Sequence, residues 1–255
     1  MRVSFLGSVL SVLVLMLFVP AASSYAGFFD GVLRFIGIGS EPSEDTERRE
    51  APHREVPQEE GTVAAGLKEA LSVGVEKAVS SVSKEDGYFG NEAIKILLPE
   101  KLRTIAIFLG RYGLQEEVDE VVLGMNRAAE KAAPRAKALF VERIGRMTLG
   151  DARKILAGGD TAATDYFRKS MSKDLYKAFK PVVAESMEEV GLVRSYKRMM
   201  SKAKALPFGE QQSLDLDDYV TKGALEGLFY MVGEEERKIR TDPAARVTDL
   251  LKKVF

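Results

Sequence analysis

Apolar residues recur at steps of three and four along most of the chain beyond residue 61, with polar residues between them. This spacing places one apolar stripe on an α-helix, and residues 63–82 and 114–132 show it most clearly. Only residues 95–99, with the sequence KILLP, resemble a strand, and an isolated strand would be marginally stable. The sequence has no series of strands and no repeat of fixed length. The pattern therefore predicts an all-α fold, in the form of a single compact multi-helix bundle.

Short local signals mark where several of these helices begin and end. Thr148 and Asp151 have the spacing of a capping box, in which each side chain accepts a hydrogen bond from the other residue's backbone. Asp242, followed by a proline, is typical of a helix start and predicts a last helix that runs to the end of the sequence. Pro134 and Pro181 interrupt helical patterns, and we expect each to kink or divide its helix.

The first 26 residues have the pattern of a secretory signal peptide. Arg2 supplies a positive charge, residues 9–19 form an apolar run, and Pro20 ends it. The run is short for a membrane span, and small residues at positions 24 and 26 fit cleavage after Ala26. An uncleaved membrane anchor is the alternative. We expect an exported protein, located in a bacterial periplasm, with no stable membrane span once the signal peptide is removed.

The next segments differ in composition. Residues 27–39 are mostly apolar and predict a short helix, which either docks on the main domain or touches a membrane. Residues 40–60 hold eight acidic residues, three arginines and three prolines, but almost no large apolar residue. Such a segment buries too little surface to offset the entropy lost on ordering, so we expect a disordered acidic linker. The helical domain then covers residues 61–255.

Composition excludes several kinds of chemistry. The chain of 255 residues has no cysteine and a single histidine, His53, which lies in the predicted linker. Disulfides, thiolate metal sites, cysteine nucleophiles and histidine-dependent triads are therefore excluded. A net charge of −1 gives no field that would favour nucleic acid. We expect no metal, no cofactor and no nucleic-acid partner.

A glycine pair at residues 158–159 interrupts the helical pattern, and short polar residues follow it in the sequence GGDTAATDYFRK. In one interpretation this is a corner, where left-handed glycines close one helix and Asp160 or Thr161 caps the next. In the other, the glycines and the helix N-terminus form an anion site, although Asp160 would place a carboxylate in it. We favour the corner and retain as candidate ligand contacts Asp160, Thr161, Thr164 and Tyr166.

Residues 213–240 contain a second cluster of acids. Asp215, Asp217 and Asp218 resemble the start of a calcium loop, but the later glycine and glutamate of such a loop are missing. No metal site is therefore predicted. Acidic residues in a first helical turn stabilise the helix dipole instead. Tyr219, beside these acids, is a further candidate ligand contact.

The helix that follows these acids is predicted to be central. Residues 228–232 are apolar on every side, which is typical of a buried helix. Gly223 and Gly227 are one turn apart and would let a neighbouring helix approach closely. In an earlier helix, Asn126 lies at the edge of an apolar stripe, either as a ligand contact or as a buried polar group. Arg127 lies opposite that stripe, and we expect it to be solvated.

Five stretches of the sequence resemble, in order, the motifs of one protein family: EDGYFGNEAIKILLPEKL, MNRAAEKAAP, GGDTAATDYF, DLDDYVTKGALEGLFYM and DPAARVTDLLKKVF. The chain is similar over residues 61–255 to this bacterial exported family, which is known only as a domain of unknown function. The resemblance implies an exported, mainly helical domain. It implies no activity, no cofactor and no catalytic residue.

Two functions of different classes fit these patterns. The first, which we favour, is a non-enzymatic module that binds a small molecule, a lipid or a protein partner, with residues 28–36 docking in an apolar groove of the domain. The second is a hydrolase or lyase that needs at least two carboxylates in one cleft. Its candidate acids are Asp160, Asp165, Asp217 and Asp218, with Tyr166 and Tyr219 as proton donors. The second function fails if the two acid-rich stretches lie far apart.

Overall fold

Eight α-helices account for the helical periodicity of the sequence in a computed structural model, which describes residues 58–204 and 214–245. The helices are α1 (Gln58–Val82), α2 (Glu100–Arg111), α3 (Gln115–Ala132), α4 (Ala136–Gly145), α5 (Leu149–Leu156), α6 (Ala162–Glu189), α7 (Leu192–Ala203) and α8 (Leu216–Thr241). Short 3-10 turns lie at Ala133–Arg135 and Pro243–Ala245. The described residues contain no strand, and the predicted all-α fold is confirmed.

Most of the segments predicted before the helical domain lie outside the described residues. These are the signal peptide (residues 1–26), the short apolar helix (27–39) and the linker (40–60) up to residue 57. Helix α1 begins at Gln58, so the last three residues assigned to the linker are helical.

Helix α8 lies at the centre of the bundle, where it packs against α1, α3 and α6. Leu228, Phe229 and Val232 are buried among these helices, whereas Tyr230 remains 46% exposed. The prediction of a central helix is therefore confirmed, but one face of α8 reaches the surface. That face forms part of the site described below.

Helices α6 and α8 lie side by side and run in opposite directions. Near one end, the Thr164 hydroxyl donates to Glu236, and near the other, the Tyr176 hydroxyl donates to Asp218. The start of α6 therefore meets the end of α8. This arrangement decides which of the predicted polar residues come together.

The local signals for helix ends are only partly confirmed. Thr148 and Asp151 form the predicted capping box at the start of α5, and Pro134 lies in the 3-10 turn that divides α3 from α4. Pro181, in contrast, does not divide α6. The side chains on either side of it, Phe179 and Val183, are fully buried, and this packing outweighs the loss of one backbone hydrogen bond.

The predicted last helix is described only at its start, where Pro243–Ala245 forms a 3-10 turn; residues 246–255 lie outside the described residues. None of the helices within the described residues combines the length and the apolar character needed to cross a membrane.

Candidate functional site

The corner before α6 is closed by a carboxylate from α8. Glu236 is 5% exposed. It accepts hydrogen bonds from the backbone N–H groups of Ala163 (2.9 Å) and Thr164 (2.8 Å) and from the Thr164 hydroxyl (2.8 Å). The first N–H groups of a helix have no partner within the helix and attract negative charge. Glu236 therefore occupies the position that a bound anion would take.

Arg240 neutralises this buried carboxylate. It lies one turn after Glu236 on α8 and donates to Glu236 Oε1 from Nε (3.1 Å) and Nη2 (3.0 Å). Nη2 also donates to the carbonyl of Ile155 at the end of α5 (2.9 Å). A buried ion pair is tolerated when additional hydrogen bonds satisfy both partners, as they do here. The pair thus joins α5, α6 and α8.

Two details of the predicted corner are wrong. Positive φ angles among the glycines of the described residues occur at Gly113 and Gly191, so the pair at 158–159 does not close α5 in a left-handed conformation. Thr161 occupies the N-cap position of α6, but its side chain accepts no capping hydrogen bond within the described residues. The second feature follows from Glu236, which already supplies the acceptor that a local cap would provide.

The four candidate contacts at this corner differ in their surroundings. Asp160 is exposed, Thr161 is half-buried, and Thr164 is buried and bonded to Glu236. Tyr166 is half-buried, and burial raises the pKa of its hydroxyl. Their role as ligand contacts stays a prediction.

A second carboxylate–arginine pair holds the loop between α1 and α2. Glu130, which is 4% exposed, accepts hydrogen bonds from the backbone N–H groups of Tyr88 (3.1 Å) and Phe89 (3.2 Å). Arg127, one turn earlier on α3, donates to Glu130 (2.7 Å) and to Asp86 (2.7 Å). The prediction that Arg127 is merely solvated is therefore wrong, because the loop folds over it and brings acids to it.

Tyr88 fixes this loop to α8. Its side chain is fully buried, and its hydroxyl donates to the carbonyl of Ala224 (2.7 Å). Burial and the neighbouring Glu130 carboxylate raise the pKa of Tyr88, so the hydroxyl remains a donor near neutral pH. Gly227 leaves room for the ring, since a Cβ at that position would lie 2.6 Å from Tyr88 Cε1.

After this loop, an extended segment crosses α8 on its way to α2. Ile94, Ile96 and Leu98 are buried, whereas Leu97 between them is 52% exposed, and this alternation has the period of a strand. A Cβ at Gly223 would lie 3.2 Å from Ile96. The close approach predicted at the α8 glycines is therefore present, but the neighbour is an extended chain rather than a helix.

The side-chain amide of Asn126 on α3 bonds to both backbone groups of one residue in this segment, as the backbone of a neighbouring β-strand would. It is fully buried. Its Oδ1 accepts a hydrogen bond from the N–H of Ile96 (2.8 Å), and its Nδ2 donates to the carbonyls of Ile96 (2.9 Å) and Val122 (2.8 Å). Asn126 is thus a buried polar group that positions the segment, and its role as a ligand contact stays a prediction.

The extended segment and α8 border an open groove of about 610 Å³. Tyr219 lies in its wall and donates its hydroxyl to the carbonyl of Leu97 (2.8 Å). Burial raises the pKa of Tyr219, so this hydroxyl also remains a donor. Leu97 and Tyr230 present exposed apolar surface to the same groove, at 52% and 46% exposure. The groove therefore combines apolar surface with polar groups.

Charged side chains line the groove unevenly. Lys95, Arg168 and Lys222 contribute three positive charges, and Glu226 contributes one negative charge. Arg168 donates to both carboxylate oxygens of Glu226 (2.9 and 2.8 Å). These two residues compensate each other. The acids beside the lysines, Asp218 near Lys222 (2.8 Å) and Glu92 near Lys95 (3.6 Å), do not line the groove, so the lining itself carries a small excess of positive charge.

The two acid-rich stretches lie apart. Asp218 contacts Tyr176, which is roughly 18 Å along α6 from Thr164 at the corner, given 1.5 Å per residue. Hydrogen bonds from Lys222 (2.8 Å) and Tyr176 (2.7 Å) hold the pKa of Asp218 below its usual range. The described residues contain no group of acids or histidines that could hold a metal ion. The convergence that a carboxylate-dependent hydrolase or lyase needs is not found between the two stretches.

Sequence reasoning missed both buried carboxylates, Glu130 and Glu236. Each stands near other charged residues and at helical spacing from an arginine, which is typical of a surface ion pair. A weak signal existed for Glu236, because Val232 and Ile239 fall on the same face of the helix and both are buried. A charged side chain on the buried face of a helix is costly unless it is hydrogen-bonded, so it indicates a bonding partner on another helix or loop.

Comparison with known proteins identifies a family but no chemistry. A family model described as a protein of unknown function (DUF4197) matches residues 58–255. No curated protein and no solved structure matches the chain. The predicted resemblance to a domain of unknown function is confirmed, while its bacterial and exported character stays a prediction.

Proposed function

Because the chain belongs to the DUF4197 family, whose description names no activity, we propose a function from geometry: a non-enzymatic, exported module that binds a ligand or partner in the groove beside α8. The observation that carries the proposal is the exposure of Leu97 and Tyr230 within one concave surface. Apolar groups gathered in a concavity with a few polar groups are typical of binding sites.

The contrast with the corner before α6 supports the groove as the site. At the corner, the buried carboxylate and the arginine are bonded to each other and to backbone groups. A ligand there would have to displace Glu236 from the helix terminus. At the groove, a ligand would cover apolar surface that water now contacts, which is favourable.

Native mass spectrometry of the full chain, purified after expression with its N-terminal segment, tests the binding site. We expect a co-purified mass that is lost in the double variant Leu97→Ser, Tyr230→Ser. The matched control is Ile107→Ser, Tyr112→Ser, which removes apolar groups of 57% and 70% exposure outside the groove. The control should retain the mass. A bound mass that survives in the groove variant would place the ligand elsewhere.

The export part of the proposal rests on the first 26 residues. N-terminal sequencing of the protein from a cell fraction outside the cytoplasm should begin at Gly27. A first residue of Met1 in that fraction would favour the uncleaved anchor instead.

A further inference from the structure

We infer that the occupant of the groove is an extended peptide from a partner protein, in which acidic and apolar residues alternate, and that it adds as a strand beside residues 95–97. This inference rests on the proposed function and specifies the class of ligand.

One edge of the extended segment is already paired. The N–H and C=O of Ile96 both bond to the side chain of Asn126. In an extended chain, both groups of one residue point to the same edge, and those of the two neighbouring residues point to the opposite edge. The opposite edge is therefore formed by Lys95 and Leu97.

That opposite edge is only half satisfied. The N–H of Lys95 donates to the carbonyl of Asn91 (2.9 Å), and the carbonyl of Leu97 accepts from the Tyr219 hydroxyl (2.8 Å). Tyr219 belongs to the groove wall, so this edge faces the groove. The C=O of Lys95 and the N–H of Leu97 have no hydrogen-bond partner among the described residues.

These two open groups have the spacing that an added strand uses. The carbonyl of one residue and the N–H of the residue two positions later are the groups through which a neighbouring strand pairs. A peptide lying in the groove would donate an N–H to Lys95 and accept the N–H of Leu97. Main-chain pairing of this kind provides affinity, and the alternate side chains of the peptide provide specificity.

The charges around the groove favour acidic side chains on the peptide. Lys222 is 66% exposed, which leaves its ammonium group accessible although Asp218 binds it. Lys95 contributes less, because its side chain is only 20% exposed and its ammonium group lies over the ring of Phe89, 4.2 Å from the ring centroid.

Ile96 packs against Gly223 of α8, so the exposed side chain of Leu97 lies on the opposite face of the segment. Leu97 therefore favours aliphatic residues on the outer face of the peptide, and Lys222, next to Gly223, favours acidic residues on the face towards α8.

The first experiment measures binding of the capped peptide Ac-Val-Glu-Val-Glu-Val-amide to the ¹⁵N-labelled full chain. We expect saturation with a Kd of about 100 μM or below, and at least about tenfold weaker binding of the matched peptide with lysine in place of both glutamates. The Lys222→Glu variant should reduce this preference. Absence of saturation by the acidic peptide at about 1 mM, or equal binding of the two peptides, would overturn the inference.

Hydrogen exchange tests the added strand directly. The Leu97 amide should exchange at least about tenfold more slowly when the acidic peptide is bound. The Ile96 amide is the internal control, since it is already bonded to Asn126 and its exchange should change little. Unchanged exchange at Leu97 in a saturated complex would exclude strand pairing at this edge.

Backbone methylation of the peptide provides the matching test. Methylation of the three valine nitrogens blocks one edge of the peptide, and methylation of the two glutamate nitrogens blocks the other. We expect one analogue to bind at least about tenfold more weakly and the other to bind as the parent does. Equal effects of the two analogues would overturn the inference.

The failure of this inference can be told apart from the failure of the proposed function. If the groove variant loses a co-purified lipid or other non-peptide mass, the groove is a binding site but the peptide is the wrong occupant. If the co-purified mass survives in the groove variant, the groove itself is the wrong site.

Discussion

The corner before α6 and the groove beside α8 both combine glycines, threonine or tyrosine hydroxyls and charged side chains, yet they differ in how these groups are satisfied. At the corner, Glu236 and Arg240 bond to backbone groups of two other helices. At the groove, two backbone groups and two large apolar side chains remain uncovered by the described residues. Polar residues next to glycines are thus compatible with a structural joint and with a binding site, and the hydrogen bonds they make distinguish the two.

Replacing Glu236 with glutamine should break the joint. The amide has one acceptor oxygen for several donors, and it removes the negative charge that pairs with Arg240 in a buried site, so the free energy of unfolding should fall by about 3 kcal/mol. Urea denaturation measures the loss. The control Glu234→Gln, on the same helix but 31% exposed in its ion pair, should cost no more than about 1 kcal/mol. Equal losses in the two variants would mean that the corner is not a buried ionic joint.

Gly227→Ala should disturb the contact between the loop and α8, beneath one wall of the groove. The new Cβ would lie 2.6 Å from Tyr88 Cε1 and 3.1 Å from Ile94 Cβ, and overpacking of this kind costs about 1–3 kcal/mol. Gly61→Ala in α1, where a Cβ meets nothing within 4 Å, should instead stabilise the protein by up to about 1 kcal/mol. Thermal unfolding of both variants checks the opposite signs.

Removing the Asp218 charge should lower the free energy of unfolding by less than the changes at Glu236 and Gly227, and the loss should depend on pH. Hydrogen bonds from Lys222 and Tyr176 lower the pKa of the Asp218 carboxyl group in the folded protein. Asp218 therefore stabilises the fold at pH values above its pKa in the unfolded chain. This stabilisation is lost as the pH falls through its pKa in the folded protein. Asp218→Asn should cost no more than about 1 kcal/mol at neutral pH, since the ion pair is near the surface. The difference in the free energy of unfolding between the original protein and the Asp218→Asn variant should become smaller as the pH is lowered below about 4. A difference that does not change with pH would mean that the carboxylate charge is not responsible.

The groove variant should have the smallest effect on stability. Leu97→Ser, Tyr230→Ser replaces exposed side chains, so its free energy of unfolding should change by no more than about 0.5 kcal/mol per site, while binding is lost. Urea denaturation measures the stability of the variant, and native mass spectrometry of the same preparation measures its binding. Marked unfolding of this variant would show that the groove, like the corner, is structural.

The parts of the fold that depend on nearby residues could be predicted from the sequence. The capping box of Thr148 and Asp151 and the division of a helix at Pro134 follow from interactions within a few residues, and both are confirmed. Pro181 does not divide α6, because the packing of Phe179 and Val183 against other helices keeps the helix continuous. Local patterns carry no information about such packing.

The candidate site was less predictable for the same reason. Tyr219 was identified beside the acids, but its partner, the carbonyl of Leu97, is 122 residues away in the sequence. Likewise, the acceptor at the start of α6 comes from Glu236, 72 residues after Thr164. Long-range pairs of this kind follow from how α8 packs, and no spacing within the sequence indicates them.

The contact between Tyr88 and Ala224 spans 136 residues, and α8 provides the partner for both the loop before α2 and the start of α6. During synthesis, therefore, the start of α6 lacks its acceptor, and the loop before α2 has only its contacts with α3, until α8 has emerged from the ribosome. We expect a nascent chain that lacks α8 to be digested by proteases and bound by chaperones. Once α8 has been synthesised, resistance to digestion should appear in one late step rather than helix by helix.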